Sequence, residues 1–162
     1  LIHRALPQGV DPDREAEILA DYRAYYQAHN CVETRPYDGI GPLLERLRQA
    51  GVRTAVVSNK PDRTTRTLAA RFFPELDGAM GQREGIASKP APDMVRAALD
   101  QLHAAPEETL YVGDSEVDVA TARNAGLDMI GVAWGFRGRA ALEAAGAPLV
   151  ADTPEQLLDM LQ

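Results

Sequence analysis

Two aspartates stand four residues apart after a short apolar run, in the segment Tyr111-Val-Gly-Asp-Ser-Glu-Val-Asp118. Gly113 permits a sharp turn after the predicted strand, so that Asp114 emerges at the strand end. Asp118 lies in the first turn of the next predicted helix, from which its carboxylate can point back toward Asp114. Two carboxylates held together repel each other unless a cation lies between them, and Mg²⁺ favours carboxylate and phosphate oxygens as ligands. The segment therefore predicts a magnesium site at Asp114 and Asp118.

The same segment also has a purely structural explanation. Ser115 can cap the helix, with Asp118 as the acidic residue of a capping box. Capping by Ser115 is compatible with a metal site, but it leaves Asp114 without a role. We therefore favour the metal interpretation over capping alone.

Two further segments carry side chains that could bind a phosphoryl group. Ser58 ends a short apolar run and Asn59 follows it, and a hydroxyl with exposed backbone amides at a strand end can hold a phosphoryl oxygen. Lys89 precedes a proline-rich helix start and could neutralise an anion. Each has an ordinary alternative, because serine and asparagine at turns commonly act as local caps and such lysines are commonly solvated.

Helices and short apolar runs alternate through the part of the chain that carries these segments. Predicted strands cover residues 54–58, 110–112, 129–133 and 148–150. Predicted helices cover residues 63–72, 92–102, 115–125 and 154–161, and a further one is marked by Leu43, Leu44 and Leu47 and ended by Gly51. This alternation predicts an α/β fold with right-handed crossovers and a parallel sheet covered by helices on both faces. Ligands bind such sheets outside the carboxyl ends of the strands, where the polar segments stand.

The beginning of the chain has a sequence pattern that is typical of helices and contains no strand-like run. A short amphipathic turn is predicted over residues 1–6, and Asp11 then precedes Pro12 as an N-cap followed by proline in the first turn of a helix. Apolar side chains follow at helical spacing and form one face: Ile18, Leu19, Tyr22, Tyr25 and Tyr26. We therefore divide the chain into a helical part, residues 1–35, and an α/β part, residues 36–162.

Composition argues against several classes of partner. A net charge of −7 disfavours binding to nucleic acid or to an anionic membrane, because both require a basic surface. No apolar run reaches the length that spans a bilayer. The single cysteine, Cys31, cannot form an internal disulfide, which suits a reducing cytoplasm. We expect a cytoplasmic monomer or homodimer with a small-molecule substrate.

The order and spacing of the polar segments resemble the motifs of the haloacid-dehalogenase superfamily. Their amino-acid sequences are similar to those of its phosphoglycolate phosphatase-like branch. Ser58 matches the second motif of that family, Lys89 the third, and Asp114 with Asp118 the fourth. The resemblance runs from about Pro36 to the C-terminus. It implies a Rossmann-like core, and it implies that residues 1–35 are the C-terminal part of an all-helical cap that closes over the substrate.

The resemblance also implies roles for these residues. Ser58 would bind the transferring phosphoryl group with Asn59 beside it, and Lys89 would hold both the nucleophile and the phosphoryl oxygens. Asp114 would ligate Mg²⁺, and Asp118 would support either the metal shell or Lys89. The implied activity is hydrolysis of a small phosphomonoester, with phosphoglycolate as the first candidate, through an aspartyl-phosphate. A pyrophosphatase and a sugar-phosphate mutase remain alternatives within the family, whereas the metal-free dehalogenase fits the fourth motif poorly.

The first motif of that family, Asp-x-Asp-Gly-Thr at the end of the first strand, is not matched. Asp11-Pro-Asp13 has the aspartate spacing, but it follows no apolar strand, and Arg14 stands where glycine is needed. We expect the nucleophile and the first strand to precede Leu1 in the real molecule, and without that strand its neighbours would lack ladder partners. The alternative from another class is a truncated, non-catalytic binding protein.

Several other residues are predicted to have ordinary structural places. Trp134 is expected to pack at the rim of the sheet rather than to bind substrate. Arg83 and Glu84 are expected on a solvated loop, and none of the three histidines has metal-ligand spacing. Whether Arg137 faces the site is left open.

Overall fold

The computed structural model describes residues 5–161. Helix α1 (Pro12–His29) begins where the sequence predicts it. Asp11 caps the helix, because its carboxylate accepts hydrogen bonds from the backbone N–H groups of Asp13 at 2.9 Å and Arg14 at 3.4 Å. Pro12 occupies the first turn, where a missing N–H costs nothing. The turn predicted over residues 1–6 lies outside the described residues except for its last two positions.

The tyrosine face of α1 is arranged in stacked pairs. Tyr22 stacks on Tyr26 with ring centroids 5.7 Å apart, and Tyr25 stacks on His29 at 4.1 Å. No described residue of α1 is buried. The helix belongs to a compact unit of its own, Leu1–Arg35, while Pro36–Gln162 form a second unit. The assignment of the first unit to part of a cap stays a prediction.

The second unit alternates helices and strands, as expected for an α/β fold. Its elements in chain order are α2 (Ile40–Gln49), β1 (Ala55–Pro61), α3 (Asp62–Phe72), β2 (Gly78–Gln82), α4 (Asp93–Leu102), a 3₁₀ turn (Pro106–Glu108), β3 (Leu110–Gly113), α5 (Glu116–Ala125), β4 (Asp128–Val132), α6 (Gly138–Ala144), β5 (Leu149–Ala151) and α7 (Pro154–Met160). Paired strands run parallel, as predicted.

The strands form two sheets where the sequence predicted one. β1 pairs with β2, in a register that places Val57 opposite Met80, and β3, β4 and β5 pair in that order. Among residues 5–161, no ladder joins β1 to β3. Each of these two strands therefore has one edge without a partner strand in the described chain, and Val112 in β3 remains 42% exposed.

Two elements were not predicted. β2 has the sequence Gly-Ala-Met-Gly-Gln, which contains neither an apolar run nor β-branched residues. It forms because it pairs with β1, and α3 and α4 also contact it. Helix α6 begins at Gly138 and covers only seven residues, so it is too short to give a recognisable helical spacing of apolar residues.

The core lies on both faces of the three-stranded sheet. One buried cluster packs helices α4, α5 and α6 against the sheet and contains Val95, Leu99, Tyr111, Val119, Ala122, Leu127, Met129, Leu142 and Val150. The other packs α2 and α7 against the opposite face and contains Leu43, Ile130, Val132, Ala151 and Leu157. Met129 and Ile130 are consecutive in β4 and belong to different clusters, because side chains alternate along a strand. β4 is thus buried on both faces, as a central parallel strand requires.

Trp134 packs against the second of these clusters, which confirms the packed position predicted for it. Between residues 5 and 161, no helix combines the length and apolar character needed to cross a membrane.

Candidate active site

Lys89 and Asp118 form an ion pair at the carboxyl end of β3. The Lys89 Nζ atom lies 2.7 Å from Asp118 Oδ1, and the two side chains are only 13% and 8% exposed. Lys89 comes from the loop before α4, whereas Asp118 comes from the first turn of α5, so the third and fourth sequence motifs meet here. A lysine this buried is not a solvated surface residue.

Two hydroxyl groups complete the surroundings of the Asp118 carboxylate. Tyr111 donates to Oδ1 at 3.0 Å, and Ser115 donates to Oδ2 at 2.5 Å. Ser115 is also the N-cap of α5, since its Oγ accepts from the Asp118 N–H at 3.3 Å. Both oxygens of Asp118 are therefore occupied by protein donors, as buried charges require.

The charges in this cluster are set by its burial and its ion pair. Burial by itself raises the pKa of Asp118, but the Lys89 ammonium and the hydrogen bonds from Lys89, Ser115 and Tyr111 outweigh it and hold that pKa below its usual value. Burial, with the negative charge of Asp118 next to it, raises the pKa of Tyr111. At neutral pH the cluster therefore contains an ionised carboxylate and a neutral phenol.

Asn59 connects the second motif to the third. Its side-chain amide donates to the Lys89 carbonyl oxygen at 3.0 Å and accepts from the Lys89 N–H at 2.8 Å. The following Lys89–Pro90 peptide bond is cis, and Asn124 of α5 donates to the Pro90 carbonyl oxygen at 2.9 Å. The backbone on both sides of the Lys89 side chain is thus fixed to neighbouring elements. The sequence suggested no such contact for Asn59, whose predicted phosphate-binding role stays a prediction.

Ser58 lies inside β1 rather than at its end, where the sequence predicted it. The strand continues to Pro61, and its pairing with β2 becomes irregular between Val57 and Pro61. Ser58 Oγ accepts from the Lys60 N–H at 3.2 Å, which is the local turn contact expected of such a serine. Within the described chain the Ser58 hydroxyl donates no hydrogen bond, so its proton remains available for a bound anion.

Asp114 has far fewer protein partners than Asp118. The Phe136 N–H donates to Asp114 Oδ2 at 3.1 Å, from the loop that follows β4. Among residues 5–161, Asp114 Oδ1 accepts no hydrogen bond from the protein. The carboxylate is partly exposed at the end of β3, with one oxygen held and the other open.

Comparison with known proteins identifies the family. The model of the haloacid dehalogenase-like hydrolases matches residues 5–132. The chain belongs to this family. Among solved structures, it is similar to a protein from Lactobacillus delbrueckii subsp. bulgaricus assigned as a phosphoglycolate phosphatase, with 39% identity and a TM-score of 0.90 over 96% of this chain and 66% of that one. This similarity supports the phosphoglycolate phosphatase-like branch that the motifs suggested.

Curated relatives of this chain differ in their activities. Tyrosine-protein kinase PtkA of Mycobacterium tuberculosis is 37% identical over 142 residues, which are 82% of this chain and 45% of the kinase. Pyrophosphatase PpaX of Anoxybacillus flavithermus is 30% identical over 162 residues, which are 95% of this chain and 73% of the pyrophosphatase. The chain thus spans less than half of the kinase and about three quarters of the pyrophosphatase.

Phosphatases of the haloacid dehalogenase-like family generally use Mg²⁺, and the donor set at Asp114 fits this ion. In the described part of the chain, no group of three His, Cys, Asp or Glu side chains could hold a metal. Mg²⁺ does not require such a group, because it commonly binds one or two carboxylates and completes its shell with water and substrate phosphate. Asp114 offers one open oxygen, whereas both oxygens of Asp118 are engaged. Of the two roles implied for Asp118, contact with Lys89 is the one present in the structure.

The remaining polar residues named from the sequence are exposed. Arg137 Nη2 pairs with Glu116 Oε1 at 2.6 Å, and both side chains are about half exposed. Arg137 therefore faces the start of α5, next to Asp114. Arg83 and Glu84 are exposed beyond β2, as predicted for a solvated loop.

Proposed function

We propose that the full-length protein is a magnesium-dependent phosphatase that hydrolyses a small phosphomonoester through an aspartyl-phosphate, with phosphoglycolate as the first candidate substrate. The observation that carries this proposal is the largely buried Lys89–Asp118 pair at the carboxyl end of β3, in a member of a family with phosphatase relatives. Maintaining a buried cation costs desolvation energy that an ordinary surface lysine avoids. Such a cation is useful where negative charge develops during a reaction.

Lys89 is the positive centre of the proposed mechanism. Its ammonium would bind phosphoryl oxygens and the nucleophile together, bringing two anions into contact. Asp118, Tyr111 and the Asn59 amide fix its position before the substrate arrives. Preorganised charge of this kind stabilises the transition state without reorganisation during the reaction.

Ser58 and Asp114 complete the arrangement in the proposed mechanism. The Ser58 hydroxyl would donate a hydrogen bond to a phosphoryl oxygen. Asp114 would hold Mg²⁺, which when bound neutralises charge on the transferring group. In the proposed mechanism, the nucleophilic aspartate would be the one that the family's first motif supplies.

Pyrophosphate is the second candidate substrate. The reason is the 30% identity with pyrophosphatase PpaX across 95% of this chain. Both substrates present a phosphoryl group with several negative oxygens, so Lys89 and Ser58 alone do not discriminate between them.

The test is a hydrolysis panel with the full-length protein. p-Nitrophenyl phosphate reports general phosphatase activity, while phosphoglycolate and pyrophosphate report the two candidates, each assayed with Mg²⁺ and after chelation. We expect turnover only with Mg²⁺ and the highest kcat/KM for phosphoglycolate. A higher kcat/KM for pyrophosphate would select the second candidate. Full activity after chelation would contradict the metal assignment, and no turnover of any substrate would favour a binding protein.

A further inference from the structure

The loop between β4 and α6 is held at both ends as it passes Asp114. At its beginning, the Ala133 N–H donates to the Ala151 carbonyl oxygen at 2.9 Å, and Trp134 packs into the core cluster on the α2 and α7 face. At its end, Arg137 pairs with Glu116 at 2.6 Å. The residues in between therefore have little freedom to move away from Asp114.

Gly135 lies against the Asp114 side chain in this loop. A Cβ atom built on Gly135 would fall 2.2 Å from both Cβ and Oδ2 of Asp114 and 2.6 Å from Cγ. These separations are far inside van der Waals contact, so any side chain at residue 135 must displace the carboxylate or the loop. The absence of a side chain allows the loop to approach closely enough for the Phe136 N–H to reach Asp114 Oδ2 at 3.1 Å.

We propose that Gly135 is a positioning residue for Asp114: its missing side chain lets the loop orient the carboxylate so that Oδ1 points to the ligand. This inference rests on the proposed function, in which Asp114 binds Mg²⁺. The ion requires near-ideal octahedral geometry, so a misdirected ligand weakens binding. Asp118 is oriented by hydroxyl and ammonium donors, whereas Asp114 is oriented by backbone alone and keeps an oxygen open.

Gly135→Ala tests the steric part of this inference in a double-mutant cycle with Asp114→Gly. In chelator, Gly135→Ala should lower the melting temperature of the full-length protein by roughly 2–12 °C, the usual result of overpacking in a domain of this size. With Asp114→Gly the three atoms nearest to the added Cβ are gone, so the same substitution should cost only a small fraction of that shift. Equal losses in both backgrounds would overturn the inference.

Gly41→Ala is the matched control, because a Cβ at that position in α2 would meet nothing within 4 Å. It should leave the melting temperature in chelator at the wild-type value or slightly above it, because alanine favours a helix over glycine, and it should leave the response to Mg²⁺ unchanged. If Gly135→Ala alone fails to fold, the double variant decides: recovery of a folded protein supports the contact with Asp114, and no recovery overturns it.

Calorimetric titration with Mg²⁺ tests the functional part. We expect Gly135→Ala to raise the Kd for Mg²⁺ at least about tenfold, because displacement of a ligand by roughly 1 Å disrupts the required geometry. An unchanged Kd would overturn the positioning role. If wild type itself binds no Mg²⁺, the proposed metal site fails, whereas the melting cycle still reports whether Gly135 orients Asp114.

Discussion

Asp114 directly follows β3 and Asp118 lies four residues later, in the first turn of α5, yet their surroundings are opposite. Asp118 is 8% exposed and bound by Lys89, Tyr111 and Ser115. Asp114 is held by one backbone N–H and keeps an oxygen open among the described residues. A carboxylate whose two oxygens both accept hydrogen bonds from the protein contributes to the fold and to the placement of its partner. One with an open acceptor is suited to a ligand, and it adds repulsion until that ligand binds.

The largest expected effect comes from Lys89→Ala in the full-length protein. Losing one preorganised contact with the transition state should lower kcat by at least about a hundredfold. Arg96→Ala is a suitable control, since it also removes one positive charge, from an exposed position on α4. Its kcat should match wild type. Near-normal turnover of Lys89→Ala would show that the ion pair serves only the fold.

Asp118→Asn should produce the largest loss of stability. It leaves the Lys89 ammonium buried without a counter-charge, and breaking a buried pair from one side costs about 3–5 kcal/mol of unfolding free energy. Chemical denaturation in chelator measures the loss. Glu116→Gln is the matched control, because it breaks the half-exposed pair with Arg137 and should change stability by less than about 1 kcal/mol. Equal effects of the two variants would show that the Lys89–Asp118 pair contributes no more to stability than an exposed ion pair.

A third carboxylate, Asp62, provides an intermediate case and a pH test. It accepts from the Gly81 N–H at 2.9 Å and from Arg66 Nε at 2.7 Å. Burial raises the pKa of Asp62. The hydrogen bonds from Gly81 and Arg66 and the charge of Arg66 lower this pKa by more than burial raises it, so the net shift is downward. A lowered folded-state pKa stabilises the protein above the unfolded value near 3.9, and this contribution disappears as the pH falls through the folded value.

The expected result is measured as the difference in unfolding free energy between wild type and Asp62→Asn. It should be about 1–2 kcal/mol and constant between pH 5 and pH 7, then shrink below about pH 4 as the carboxyl becomes protonated. A difference that grows toward acid pH would mean that the sign of the pKa shift is wrong.

The motif segments could be predicted from the sequence because they carry local signals. An apolar strand, a turn glycine and an aspartate occur together at Asp114, and the order of Ser58, Lys89 and Asp114 along the chain points to the family. The parallel α/β fold also follows from the alternation of elements. β2 could not be found this way, since Gly78–Gln82 become a strand only through pairing with β1.

The partners of the site residues were also beyond sequence reasoning. Asn59 fixes Lys89 across 30 residues, and Phe136 reaches Asp114 across 22. Such contacts depend on how neighbouring strand ends meet in space, and no local pattern encodes them. The sequence therefore left two roles open for Asp118, and the structure shows the contact with Lys89.

The most direct test of the difference between Asp114 and Asp118 is a set of melting curves for wild-type and Asp114→Asn full-length protein, in chelator and in saturating Mg²⁺. In chelator the variant should melt at the wild-type temperature or above it, because it loses a negative charge and keeps the shape. A ligand at a hundred times its Kd stabilises the native state by about 2.7 kcal/mol, or roughly 5–10 °C here. Wild type should gain that much from Mg²⁺ and Asp114→Asn almost nothing. A variant that melts well below wild type in chelator, or that gains equally from Mg²⁺, would contradict the account.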